Sequence, residues 1–191
     1  MHRVMTAMQH LFDRHGTAYD RYTHRVFGGL HACALADAVR AAPPGGAVLD
    51  VGAGPGRLAV ALASRRADLT VHAIDISLDM IEVARRHAQD AGVADRTHIE
   101  VADVAAVPLA DDSVDVVIST ASFHHWRDVS GAARELTRVT RPGGRIWIYD
   151  LRLAPWRRLA AAVGAPITRT PAGLLFTRAE LPNNLRSPTR D

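Results

Sequence analysis

VLDVGAGPG, residues 48–56, is the stretch on which the fold turns. An apolar run passes through Asp50 to Val51, and Gly52, Gly54 and Gly56 then take alternate positions. Such a run reads as a buried strand turning sharply into a helix, because glycine adopts positive φ without steric cost and lets a ligand approach the main chain. Free N–H groups and the dipole at the start of that helix favour a negative group. Taken alone, the loop fits a nucleotide, a carboxylate-bearing ligand, or simply a tight turn demanded by strand-to-helix packing.

Working outward, short β-branched runs at 47–51, 70–75, 97–101, 114–119 and 145–150 alternate with amphipathic segments at about 57–66, 79–91 and 129–140. The runs read as strands and the segments as helices, with RPGG at 141–144 a turn that stops the last helix. Buried strands alternating with helices predict a parallel sheet covered on both faces, and right-handed crossovers leave few topologies for it. Ahead of the AAPPGG break at 41–46, Val4, Met5, Met8, Leu11 and Phe12 recur at helical spacing and 30–39 carries a second helical pattern. The first forty-odd residues therefore read as two helices and a loop.

A chain of 191 residues with 48% hydrophobic content suits one globular domain. It has no apolar run long enough for a membrane span, and MHRVMTAMQHLFDRHG at its start lacks a secretory pattern, so a cytoplasmic protein is expected. Cys33 is the only cysteine, which excludes an internal disulfide and a cysteine-based metal cluster; it reads as a packed small residue. All 23 basic residues are arginine, so lysine chemistry is excluded outright. The net charge of +3 divides into five arginines against three acids over 1–40, eleven against fifteen over 41–150, and seven against two over 151–191. These arginines are scattered and aromatic content is only 5%, so no nucleic-acid partner is expected.

In a sheet of this kind ligands bind outside the carboxyl ends of the strands, where the glycine loop lies. Asp75 ends the second strand, where a carboxylate accepts both hydroxyls of a ribose. Asp103 follows the third strand, and an acceptor there can take the exocyclic amino group of an adenine. Each aspartate singly is better read as a strand-end cap, but three on one edge beside the glycines point to a nucleoside. A dinucleotide fingerprint would need its third glycine where Arg57 stands, and a carboxylate at Asp50 repels pyrophosphate while favouring a cation.

The runs VLDVGAGPGRLAVALA, VHAIDISLDMIEVARRHA, IEVADVAAVPLADDSVDVVISTASFHHWRD and ELTRVTRPGGRIWIYDL, in that order within residues 20–152, closely resemble the class I S-adenosylmethionine-dependent methyltransferases. The likeness is strongest to the small-molecule branch that includes ubiquinone and menaquinone biosynthesis enzymes. It implies an α/β, Rossmann-like, doubly wound and mostly parallel sheet with N-terminal helices, and S-adenosyl-L-methionine as cofactor, leaving as S-adenosyl-L-homocysteine. By the same resemblance Gly52, Ala53 and Gly54 face the methionine moiety, with Asp50 beneath the loop helping to hold its amino group. Asp75 binds the ribose diol, with Ile76 and Met80 against the adenine. Asp103 by its side chain and Val104 by its N–H, next to Ala102, read the adenine edge. The stretch from Ser119 to Ser122 closes over the methionine end, and Tyr19 in AYDRY resembles the aromatic that covers the cofactor from the N-terminal side.

Methyl transfer from a sulfonium is an in-line displacement whose cofactor is already activated, so alignment and exclusion of water supply most of the acceleration. No metal is expected, since adjacent histidines without further ligands make a poor chelate. A base is needed only where the acceptor must lose a proton. His124 and His125, in SFHHWRD after the fourth strand, are candidates for that role, or else order the turn. STASF stands where an Asn-Pro-Pro-Tyr-type stretch would mark amino-group methyltransferases of DNA bases and protein glutamines, leaving a small-molecule acceptor methylated on oxygen or carbon.

The chain departs from the family pattern after its fifth strand. FTRAEL, at 176–181, reads as the start of a helix, and LPNNLRSPTRD is not strand-like. The expectation is one methyltransferase-like domain over 1–191, with a helical lid at 1–45, a cofactor-binding core at 46–151 and a short tail at 152–191 that lacks the usual last strand pair. The fifth strand would then keep a bare edge, open to the tail or to a second copy of the chain in a homodimer. Such a shortened fold leaves open a non-catalytic or partner-dependent protein. An NAD-dependent oxidoreductase is opposed by the glycine spacing and by the absence of a Tyr-x-x-x-Lys pair.

Overall fold

A computed structural model of the chain describes residues 16–183, with side chains described from Gly28 onward. In chain order the elements are α1 (Gly16–Ala41), β1 (Ala47–Val51), α2 (Arg57–Arg65), β2 (Thr70–Asp75), α3 (Leu78–Asp90), β3 (Thr97–Val101), β4 (Val114–Thr120), a 3-10 turn (Phe123–His125), α4 (Val129–Val139), β5 (Thr140–Leu151), α5 (Trp156–Val163), β6 (Thr168–Pro171) and β7 (Phe176–Leu181). The strands form one sheet in the order β3-β2-β1-β4-β5-β7-β6. β1 to β5 are parallel, with Val48 opposite Val71 on one side and Val116 on the other, while β7 is antiparallel to β5 and β6.

The period-two pattern of the strands divides the core into two layers. Val48, Val71 and Val116 share one buried cluster with Leu30, Ala34 and Ala38 of α1, Leu58 and Leu62 of α2, and Ile81 of α3. Leu49, Val51, Val117 and Ile148 share the other with Leu136 of α4 and Leu159 of α5. Asp50 lies between these apolar neighbours on the α1–α2 side and is fully buried. Sheet order reverses between β1 and β4, so the loops leaving their carboxyl ends diverge and open a crevice there.

The five parallel strands and three crossover helices fall where sequence placed them, within about two residues for all but β5. β5 is assigned from Thr140, yet Val114 pairs with Thr140 and Val116 with Arg145, so the RPGG segment loops out of the ladder as a turn. The helical pattern at 30–39 proves to be the second half of α1, which continues through Gly28 and Gly29. Burial of Leu30, Ala34 and Ala38 outweighs the low helix propensity of that pair. The pattern over Val4, Met5, Met8, Leu11 and Phe12 lies outside the described residues. Cys33 is exposed on α1, not packed.

The larger correction concerns the C-terminal end. The last strand pair is present: FTRAEL is β7, not a helix, with Ala179 opposite Ile148 of β5 and opposite Arg169 of β6. Phe176, Ala179 and Leu181 are buried, whereas Arg178 and Glu180 are held by ion pairs to Asp37 and Arg145. Charged residues at paired strand positions hid the alternation, and the Phe176–Ala179 spacing imitated a helix. The edge of β5 is therefore covered, the sheet is not shortened, and a homodimer argued from a bare β5 edge loses its basis.

Candidate cofactor and active site

The loop after β1 uses each of its three glycines for a different reason. Gly52 (φ 66), Gly54 (φ 53) and Gly56 (φ 72) all lie in the left-handed region. At Gly52 a Cβ would overlap the Ser122 side chain, and at Gly56 it would sit 2.7 Å from Ala84 Cβ of α3. At Gly54 it would meet nothing within 4 Å, so that glycine borders open space. The N–H groups of Gly52 and Ala53 both donate to the Ile74 carbonyl, at 2.8 and 3.0 Å, tying the loop to β2.

Two carboxylates flank this loop in different states. Asp50 is 0% exposed and neither of its oxygens has a hydrogen-bond partner. Burial, and then the charge of nearby Asp75, push its pKa up to about 7; the Ala59 N–H of α2 pulls the other way without closing a hydrogen bond. Asp75 is half-buried, accepting from Gly54 N at Oδ2 (2.8 Å) and from Ser77 N at Oδ1 (2.9 Å). Ser77 in turn caps α3, its hydroxyl accepting from Met80 N at 3.4 Å. Ile76 is 69% exposed beyond the end of β2, whereas Met80 is buried under the first turn of α3.

After β3, Ala102 N donates to the Asp75 carbonyl at 3.0 Å, and the exposed Asp103 carboxylate accepts from Ala105 N at 2.9 Å. Val104 is half-buried beside them and belongs to the α4–α5 side of the core. Ser119, next to last in β4, is fully buried, its hydroxyl 2.7 Å from that of Ser122. Ser122 also donates to the Val51 carbonyl at 3.2 Å, and Trp126 Nε1 donates to Ser122 at 3.2 Å. Ala121 takes φ 51, a strained value for a residue with a Cβ, while its N–H donates to the Tyr149 carbonyl at 2.7 Å. The turn from Ser119 to Ser122 is thus pinned to both β1 and β5 at the crevice.

His124 follows that turn. Its backbone N donates to Asp150 Oδ2 at 3.0 Å, and its Nδ1 lies 2.8 Å from Asp150 Oδ1. Asp150, next to last in β5, is 0% exposed. A buried carboxylate against Nδ1 favours the tautomer protonated there, leaving Nε2 as the lone-pair nitrogen. His125 is exposed, with its ring centroid 4.0 Å from that of His124. Partial desolvation, then the neighbouring His124, hold its pKa below the usual histidine range, while the charges of Asp150 and Asp75 oppose that shift.

One edge of the sheet therefore gathers Asp50, Gly52, Ala53, Gly54, Asp75, Ile76, Ala102, Asp103, Val104, Ser119, His124 and His125. Tyr19 lies early in α1, and its side chain is outside the described residues. Sequence reasoning missed Asp150, although it repeats the signal of Asp75, an acid at the carboxyl end of a parallel strand. Ser122 was expected only as the end of a stretch making main-chain contacts, whereas its hydroxyl bonds Ser119 and Val51 and its side chain fills the space beside Gly52. A cleft of about 710 Å³ lies at the other end of β4 and β5, where Arg40, Arg141, Arg145 and Arg178 are already paired with acids. Among the described residues no helix is long and apolar enough to cross a membrane.

The family described as Methyltransferase domain matches residues 49–148. The methyltransferase GfsG of Streptomyces halstedii is 41% identical over 104 residues, 54% of this chain and 37% of that protein. The ubiquinone/menaquinone biosynthesis C-methyltransferase UbiE of Geotalea daltonii is 30% identical over 146 residues, 75% of this chain and 62% of that protein. The chain thus spans from about a third to under two thirds of the length of these relatives. Among solved structures, a candidate S-adenosyl-L-methionine-dependent methyltransferase of Methanococcus maripaludis superposes with a TM-score of 0.73 at 22% identity, covering 87% of this chain and 90% of that one, a likeness of fold.

Proposed function

From the premise that this chain belongs to the class I S-adenosylmethionine-dependent methyltransferase family, we propose that it transfers a methyl group from S-adenosylmethionine to an oxygen or carbon of a small-molecule acceptor. The observation that carries the reading is Asp50. A fully buried carboxyl with no partner is costly, and the charge of a ligand ammonium brought to the open side of the loop at Gly54 would offset part of that cost. The residues present fit the cofactor: Asp50 and the loop would hold its amino-acid end, Asp75 its ribose, and Asp103 with the N–H of Val104 its adenine, along the exposed Ile76. Residues 46–151 would supply these contacts.

The bound cofactor supplies a methyl group already activated as a sulfonium, with a neutral thioether as leaving group. The chain's own part is to position and to move a proton. The Ser119–Ser122 turn, locked to β1 and β5, would wall the methionine end and exclude water. Where the acceptor is a hydroxyl, Nε2 of His124 would take its proton as general base. Asp150 keeps Nδ1 as the protonated nitrogen and stabilises the imidazolium so formed, which then returns its proton to solvent.

With the last strand pair present, the argument for a non-catalytic protein loses its main support. Calorimetric titration tests the reading: S-adenosylhomocysteine is expected to bind with micromolar affinity, Asp75→Ala to weaken it at least tenfold, and NADH not to bind. A folded chain that ignores S-adenosylhomocysteine would sink the proposal.

A further inference from the structure

We propose that the acceptor is a largely apolar molecule carrying an ionisable hydroxyl, its body seated on a leucine rim formed by Leu151, Leu153, Leu174 and Leu175 and its hydroxyl at His124; this rests on the methyltransferase reading above. The four side chains are 39%, 87%, 84% and 60% exposed. A single exposed leucine is ordinary, but four gathered at the end of β5 and on the two abutting turns form a patch that calls for an occupant.

The turns are built to stay in place. Arg152 N donates to the Leu175 carbonyl at 2.9 Å and its guanidinium to the Leu174 carbonyl at 3.3 Å, joining the turn after β5 to the one before β7. Ala154 N closes the first turn on the Leu151 carbonyl at 2.9 Å, and Ala172 N closes the second on Phe176 O at 3.0 Å. Trp156 Nε1 also donates to the Leu151 carbonyl, at 3.0 Å. The leucines are thus presented on a hydrogen-bonded scaffold, as a subsite requires.

Position identifies the occupant. Leu151 follows Asp150 directly, and its N–H donates to Asp150 Oδ1 at 2.7 Å, the same carboxylate that holds His124. Leu151 is also in register with Phe176, so the turn before β7 stands at the carboxyl edge of the sheet beside the crevice. A molecule that covers the rim and still reaches His124 must be small, because a second protein chain seated there would close the approach to the histidine. Its body must be apolar to gain from the leucines, and its reacting group must give up a proton to use the base.

The probe for this subsite is 2-naphthol, an apolar ring system with an ionisable hydroxyl, titrated by its own fluorescence into protein saturated with S-adenosylhomocysteine. Saturable binding is expected, weakened tenfold or more in the double variant Leu153→Asp/Leu174→Asp, with S-adenosylhomocysteine affinity unchanged and Leu153→Met/Leu174→Met restoring the probe. Both leucines are solvent-facing, so the variants retain the fold. No binding to the loaded wild-type chain, or equal binding to the aspartate variant, would overturn the subsite. So would sedimentation in which the aspartate substitutions split a dimer while 2-naphthol binding persists, since a second copy would then be the occupant. Failure of S-adenosylhomocysteine itself to bind would instead overturn the cofactor reading beneath it.

Discussion

Gly54 donates its backbone N–H to Oδ2 of Asp75 across 2.8 Å, joining the loop after β1 to the end of β2. The carboxylate's other oxygen accepts from Ser77, so the aspartate that faces the crevice also fixes its two walls. Each carboxylate oxygen can accept a second hydrogen bond, which leaves room for two ribose hydroxyls without breaking the frame.

The glycines of this loop separate folding from binding. Gly52→Ala would drive a Cβ into Ser122 at a positive φ, and is expected to cost about 2–4 kcal/mol, read from urea unfolding. Gly54→Ala meets open space and keeps only the conformational penalty, about 1 kcal/mol, yet places a methyl where the ligand would lie. It should fold and lose at least tenfold in S-adenosylhomocysteine affinity. Equal binding by Gly54→Ala and wild type would remove the ligand from that side of the loop.

On the proposed function, Asp50 would make ligand binding a proton-linked event. With its pKa raised to about 7, the folded apo chain binds more protons than the unfolded chain between the ordinary carboxylate pKa and about 7, so Asp50 contributes a loss of stability as pH rises through that window. His72 and His125 act oppositely: burial is the first cause lowering both, so their contribution is lost as pH falls through the usual histidine pKa. Asp50→Asn is expected to raise apo stability by roughly 2 kcal/mol at pH 8 and leave the acid limb unchanged. In the wild type, an ammonium ligand should displace a proton from Asp50 near pH 7. Calorimetry in buffers of different ionisation enthalpy reads that release, and a binding enthalpy independent of buffer would refute it.

Legibility in the sequence followed burial. β1, β2 and β4 are covered on both faces, so continuous apolar runs marked them, and the acids and glycines at their ends stood out as departures. β6 and β7 carry no such signal. β6 is mostly exposed, and β7 sets Arg178 and Glu180 at positions whose partners, Asp37 and Arg145, are distant in sequence. The edge that gathers Asp50, Asp75 and Asp103 around the glycine loop was legible because it depends on strand ends and one loop. The pairing of His124 with Asp150, 26 residues apart, depends on β4 and β5 being neighbours, which sheet order decides and local pattern does not.

That pairing has a spectroscopic consequence. Nitrogen-15 spectra of histidine side chains at pH 8 should assign the His124 proton to Nδ1, because Asp150 is fully buried against that atom. Asp150→Asn offers an amide oxygen or an amide N–H there, and the tautomer should become mixed while S-adenosylhomocysteine affinity stays within about twofold. An Nε2-protonated His124 in the wild type would exclude it as the base.

The C-terminal strands are joined to α1 through one carboxylate. Asp37 Oδ2 accepts from the Tyr149 hydroxyl of β5 at 2.5 Å and from Arg178 of β7 at 2.7 Å, and Asp37 Oδ1 pairs with Arg40. Burial raises the Asp37 pKa, but the Tyr149 hydroxyl and the arginines together bring it below the usual carboxylate value. Its contribution is therefore present above the unfolded pKa and lost as pH falls through the lower folded one. Asp37→Ala would leave the Tyr149 hydroxyl, on a side chain 1% exposed, without its partner, and should cost about 2–3 kcal/mol. Tyr149→Phe removes the hydroxyl itself and should cost nearer 1 kcal/mol. Combined, the two substitutions should cost less than their sum, because they break the same bond. Urea midpoints of the four proteins at pH 7 measure this, and full additivity would mean that α1 and β5 are not coupled through Asp37.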